Sequence, residues 1–133
     1  MPIVLDASIV AAWALADELS PIAEKADSFL DSDTALVPRI WWYEIRNLLV
    51  ISERRNRISA VDSAVFLQSL AGYPIEISTV EEEQAVFQIA RQFRLSFYDA
   101  AYLELAQRNR IPLATLDKAL QLAATSTGVS LLI

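Results

Sequence analysis

Acidic side chains are the groups in this sequence best placed to do chemistry. Asp6 follows the apolar run Ile3-Val4-Leu5, and Asp117 stands two residues beyond Thr115, at the end of the run Leu113-Ala114-Thr115. Glu44 lies in a long helical stretch, where ~100° per residue places Ile40, Trp41, Leu48 and Ile51 within roughly 60° of it. A carboxylate centred on such a stripe must be paired, protonated or bound to a cation, because desolvating a lone charge is costly. Arg55 shares that face but lies a helix length away, so a metal ion is the favoured partner. The other acids carry a second reading. Asp6 with Ser8, Asp99 in Ser96-Phe97-Tyr98-Asp99, and Asp117 are all spaced to cap helices.

The sequence contains no His and no Cys. That excludes Ser-His-Asp and Cys-His catalysis, histidine acid–base chemistry and the usual zinc sites. Chemistry must then come from Asp, Glu, Ser, Thr, Tyr or Lys, helped by a hard cation with oxygen ligands. The two glycines, Gly72 and Gly128, stand alone, which excludes phosphate loops and dinucleotide fingerprints. A net charge of −6 argues against nucleic acid as a partner at first sight. Between Arg39 and Arg57, however, five arginines face only Glu44 and Glu53, a local charge of +3.

Positioning these acids requires alternating strands and helices. Strands are expected at Ile3–Leu5, Ala35–Val37, Ile75–Ile77, Leu113–Thr115 and Ser130–Leu132. Helices are expected at Ser8–Ala16, Pro21–Leu30, Ile40–Asn56, Ala60–Ala71, Val80–Phe93, Phe97–Arg108 and Lys118–Ala124. Short apolar strands between helices predict an α/β fold with a mostly parallel sheet, in which ligands bind beyond the carboxyl ends of the strands. The 133 residues, 54% hydrophobic, fit one domain, 1–133, with no internal repeat. Ala14-Leu15-Ala16 looks like a signal-peptidase site, but the apolar segment before it lacks a basic n-region and contains Asp6. No apolar run reaches the ~18 residues of a membrane span. A cytoplasmic protein is expected.

The acids also sit in recognisable strings. Val4-Leu5-Asp6-Ala7-Ser8 is followed by Trp13 and Glu18, then by Pro38, Trp42 and Glu44-Ile45-Arg46-Asn47. Later come Leu95-Ser96-Phe97-Tyr98-Asp99-Ala100-Ala101-Tyr102-Leu103 and Pro112-Leu113-Ala114-Thr115-Leu116-Asp117. In this order and spacing the chain resembles the PIN-domain ribonucleases, and within them the VapC-type toxins of toxin–antitoxin pairs. The resemblance implies a three-layer α/β/α fold with about five mostly parallel strands, and a Mg²⁺ or Mn²⁺ site. By the same resemblance Asp6, Glu44, Asp99 and Asp117 form the catalytic, metal-holding quartet, with Ser8 and Thr115 as supporting hydroxyls. It further implies an RNA substrate, a VapB-type antitoxin as partner, and a homodimer.

The implied chemistry is physically coherent. Unit charges ~4 Å apart repel by ~4 kcal/mol at an effective dielectric near 20, so converging carboxylates need a cation to stay ionised. Asp6 and Asp99 are the expected direct ligands, with Glu44 and Asp117 acting directly or through water. Specificity is expected from Arg39, Arg46, Arg54 and Arg57, which form a stripe with Tyr43 and Val50 on the flank of the Glu44 helix; a solvated basic face is the alternative. Trp42, Ile45 and Leu49 are expected to form an apolar partner surface. Rival readings are a catalytically silent binding module of this fold and a different α/β phosphoesterase. A haloacid-dehalogenase-type phosphatase needs a second Asp where Ser8 stands, and a receiver domain needs adjacent acids around the first strand together with a Lys after a late strand, a pattern that is not met because Asp6 stands there alone.

Overall fold

The shortest apolar runs become a parallel sheet. The computed structural model describes residues 1–15, 17 and 20–133 of the chain. Strands β1 (Ile3–Leu5), β2 (Ala35–Val37), β3 (Ile75–Ile77) and β4 (Leu113–Ala114) are ordered β3-β2-β1-β4, with every pairing parallel. Val4 is the centre of the register, opposite Leu36 on one side and Leu113 on the other. All of β1 is fully buried, as a central parallel strand covered on both faces should be.

Seven helices flank the sheet among the described residues: α1 (Ala7–Ala14), α2 (Pro21–Phe29), α3 (Ile40–Arg54), α4 (Ala60–Leu70), α5 (Glu83–Phe93), α6 (Phe97–Asn109) and α7 (Lys118–Ser126). Ser20 caps α2 with Pro21 at its first position, and Ser59 caps α4. Helix α6 lies across β1, β2 and β4 and packs on α5 and α7, while α1 packs on α2 and α3. The result is the expected three-layer α/β/α arrangement. No helix among the described residues is long and apolar enough to cross a membrane.

Several boundaries differ from expectation, most by one or two residues, and three of the differences have a local reason. Helix α5 begins at Glu83 rather than Val80, because arginines compete for the preceding backbone: Arg39 donates to the Thr79 carbonyl and Arg108 to that of Val80. The Ser130–Leu132 strand shrinks to a bridge from Leu131 to Leu113, since the two-residue β4 offers only one register repeat. Helix α3 stops at Arg54, and Asn56 turns the chain out through a left-handed conformation (φ 57°). Ala16, the expected end of the first helix, lies outside the described residues, as does Glu18.

Candidate active site

Loops leaving the carboxyl ends of β1 and β4 meet through a web of hydroxyls. Ser8 Oγ donates to Asp6 Oδ2 at 2.7 Å, and Thr115 Oγ1 donates to the same oxygen at 2.8 Å. The two hydroxyls in turn accept from backbone: Leu116 N–H reaches Ser8 Oγ at 2.9 Å, and Asp117 N–H reaches Thr115 Oγ1 at 3.1 Å. Ser8 and Thr115 thus lock the two loops around one carboxylate. Asp6 is only 5% exposed. Burial holds its carboxyl above its ordinary pKa, and the Ser8 and Thr115 hydrogen bonds pull against that rise.

Glu44 enters from α3, half-buried, and is not alone. Tyr102 on α6 donates its hydroxyl to Glu44 Oε1 at 2.6 Å. Burial raises the Glu44 pKa, the Tyr102 bond opposes this, and the charges of Asp6 and Asp99 raise it further. Asp99 is raised by burial and by the charges of Asp6 and Asp117. Tyr102 itself is pushed far up by burial and by Glu44, so it remains a donor throughout the working pH range. Tyr102 stands outside the four acids and two hydroxyls expected from the sequence. Its signal was an aromatic residue with a polar tip, three positions past Asp99 on a helix otherwise turned to Ala100, Leu103 and Ala106.

The capping reading of the acids does not exclude the site reading. Asp6 is the N-cap of α1, and Asp117 is the N-cap of α7, accepting from Leu120 N–H at 3.1 Å. Ser96 caps α6 by accepting from the N–H of Asp99, which lies in that helix's first turn. Three helix N-termini thus hold carboxylates, where each terminus carries a partial positive charge. No lysine or arginine among the described residues contributes to the shifts of Asp6, Glu44 or Asp99.

The structure therefore brings the four acids into one electrostatically coupled group. Their donor chemistry, all oxygen and short of positive charge, fits a hard divalent ion. Among the described residues, however, no three acidic side chains are gathered closely enough to ligate one ion together. An ion with one or two protein ligands and the remainder water is the arrangement that fits, and it is the usual one for Mg²⁺.

The residues expected to bind RNA or a partner are arranged differently from that compact group. Arg39 is exposed and paired with Glu81 at 2.6 Å, and Arg57 makes a two-oxygen pair with Asp17. Arg46 lies 4.0 Å over the Trp42 ring. Arg54 is exposed in the last turn of α3. Trp42 is 44% exposed, whereas Ile45 and Leu49 are 0% and 3% exposed, so the expected three-residue apolar patch is corrected to Trp42 alone. The reason is rotational. Helix α3 turns Trp41, Ile45, Leu49 and Ser52 inward, leaving Glu44 with Ile40, Leu48 and Ile51 on the half-buried shoulder of that stripe.

Comparisons with known proteins agree with this architecture. PAE2754 from Pyrobaculum aerophilum superposes with a TM-score of 0.72 at 22% identity, over 92% of this chain and 87% of that one. VapC20 of Mycobacterium tuberculosis, described as a toxin cleaving the sarcin–ricin loop, gives a TM-score of 0.60 at 15% identity, over 91% and 94% of the two chains. Identities this low establish likeness of fold alone. No relative was found among curated proteins. The profile of the PIN domain matches residues 3–125, nearly the whole chain, and the chain belongs to the PIN-domain family.

Proposed function

We propose that this chain, a single domain spanning 1–133, is the toxin of a type II toxin–antitoxin pair and acts as a divalent-metal-dependent endoribonuclease. PIN domains are generally nucleases, and one fold neighbour is a toxin that cleaves RNA. The observation that carries the reading is the coupling of Asp6, Glu44 and Asp99, all held above their ordinary pKa values, with no basic residue among the described residues contributing to relieve them. Such a group is unfavourable by itself and favourable around a cation.

Each residue then has a role. Asp6 and Asp99 are the direct ligands, Asp6 being fixed by the hydroxyls of Ser8 and Thr115. Glu44 has one oxygen committed to Tyr102, leaving Oε2 to orient a water in line with a phosphodiester. Asp117 has Oδ1 committed to the cap of α7, and Oδ2 is its oxygen for the metal or a metal-held water. When bound, Mg²⁺ or Mn²⁺ supplies Lewis acidity that activates water and stabilises charge developing on the phosphate. The reaction needs no histidine.

Partners follow from the same reading: RNA as substrate, a VapB-type antitoxin as inhibitor in the cytoplasm, and a second copy of the chain in a homodimer. Trp42, exposed with Arg46 stacked on it, is the proposed anchor on the partner side. The test is brief induction of the protein followed by sequencing of new RNA 5′ ends. Discrete ends that require an intact Asp99 support the reading, and an unchanged RNA population refutes it.

A further inference from the structure

A groove of about 300 Å³ runs along α3 from Glu44 toward Arg55 and Arg57. Eleven residues separate Glu44 from Arg55, so they lie on nearly the same face, ~16 Å apart along the helix axis. Between them the floor is apolar, formed by the half-buried Leu48 and Ile51, and Asn47 stands exposed on the wall. The groove thus starts at a carboxylate of the candidate active site and ends at guanidinium groups. It is longer than one nucleotide of an extended strand.

The two arginines at its end differ. Arg57 is engaged with Asp17. Arg55 is exposed, and among the described residues it makes no side-chain hydrogen bond or ion pair. Arg39 and Arg108 are committed to Glu81 and Glu104, and Arg46 lies on Trp42, on the opposite side of α3 from Glu44. Among the described residues Arg55 is therefore the uncommitted cation of the groove.

We propose that this groove is the path of the single-stranded RNA on one side of the scissile bond, with Arg55 holding a backbone phosphate. Leu48 and Ile51 support a sugar and base by apolar contact, which is tolerant of sequence. Asn47, which carries both a donor and an acceptor, contacts a base edge and supplies sequence preference. The inference rests on the nuclease reading and adds a substrate direction to it: the strand follows α3 toward its C-terminus. It also moves the phosphate contact from the expected stripe of Arg39, Arg46, Arg54 and Arg57 to a residue sequence reasoning left aside.

The test uses the full chain carrying Asp99→Asn, so that RNA stays intact, and a fluorescein-labelled single-stranded RNA 20-mer of mixed sequence. Anisotropy titrations run from 50 to 300 mM KCl in Mg²⁺, on the parent and on Arg55→Ala, Arg55→Lys and Arg94→Ala, with folding checked by circular dichroism. Arg55→Ala should weaken binding about tenfold at low salt and reduce the slope of log K against log[salt] by about 0.7, one phosphate of single-stranded RNA. Arg55→Lys should restore the slope, and Arg94→Ala should change neither quantity. Equal affinity and slope for parent and Arg55→Ala, or an equal loss with Arg94→Ala, overturns the proposal, as does a parent that fails to bind RNA. Loss confined to binding of a co-expressed antitoxin also overturns it, by making the groove a protein site. A parent that shows the Arg55 effect while the unmutated chain cleaves nothing leaves the groove standing and refutes the nuclease reading.

Discussion

Replacing Tyr102 by Phe deletes one hydroxyl and leaves a ring of the same shape in a fully buried position. Nearly all of its effect must come from the 2.6 Å bond to Glu44 Oε1, a length typical of charge-assisted O–H···O⁻ contacts. Hydrogen bonds to charged groups contribute about 1.5–3 kcal/mol, and water can replace part of this one because Glu44 is only half-buried, which places the loss near 1.5 kcal/mol. For a domain of this size each kcal/mol corresponds to ~3–5 °C, so the metal-free protein at pH 7.5 should melt about 5–7 °C lower. The sign of the pH dependence follows from Glu44. The Tyr102 bond favours its ionised form, so the stabilisation is present above the folded pKa of Glu44, itself raised by burial, and shrinks as pH falls through it. At pH 4.5 a neutral bond should leave only ~0.5–1 kcal/mol. Urea unfolding in EDTA at the two pH values measures both quantities. A loss below ~0.5 kcal/mol at pH 7.5, or losses equal at the two pH values, refutes the charged Tyr102–Glu44 contact.

Metal-free protein should gain stability as pH falls from neutral toward mild acid. Asp6, Glu44 and Asp99 all have folded pKa values above their unfolded ones, so the penalty is full above the folded values and is relieved below them. Millimolar Mg²⁺ should remove that slope and raise the unfolding free energy by about 2.7 kcal/mol at a hundredfold excess over Kd, and the melting temperature with it. Asp6→Asn should stabilise the metal-free form while reducing the metal's effect; identical melting in EDTA and Mg²⁺ would count against the site. On α3, Trp42→Ala should weaken dimer or antitoxin binding at least tenfold, as loss of an aromatic hot spot does, without lowering thermal stability by more than a degree or two. Ile45→Ala, three residues on, should instead cost about 2–5 kcal/mol of stability as a cavity in the core. Native mass spectrometry and calorimetry on the pair distinguish the two roles.

The parts of the fold that were legible in the sequence had one dominant signal each. Ile3–Leu5 and Ala35–Val37 are uninterrupted apolar runs, which only a strand buried on both faces requires, and Ser20-Pro21 and Ser59 punctuate their helices unambiguously. The residues of α3 show why other features were obscure. Its apolar side chains cover more than half its circumference, so periodicity could not decide whether Glu44 or Ile45 marks the inward direction. Tertiary packing chose Ile45. That rotation buried two-thirds of the expected patch and placed Glu44 on a shoulder, where it can reach both Tyr102 and solvent. The Tyr102 contact and the part proposed for Arg55 were missed because both are relational. The first depends on α6 crossing near α3, the second on which acids other arginines find, and neither is written in local spacing. The positions of Asp6, Ser8 and Thr115 were legible because strand ends in a parallel sheet converge whatever the details of packing.

The central claim is that the four coupled acids cut RNA with a divalent ion. Its most direct test is cleavage of total cellular RNA by the purified chain and by Asp99→Asn, each in Mg²⁺, Mn²⁺ and EDTA, with both proteins shown to be folded. Discrete products are expected from the unmutated chain in either metal, none in EDTA, and none from Asp99→Asn under any condition. A folded Asp99→Asn protein that cleaves as well as the unmutated chain, or cleavage that persists undiminished in EDTA, would contradict that claim.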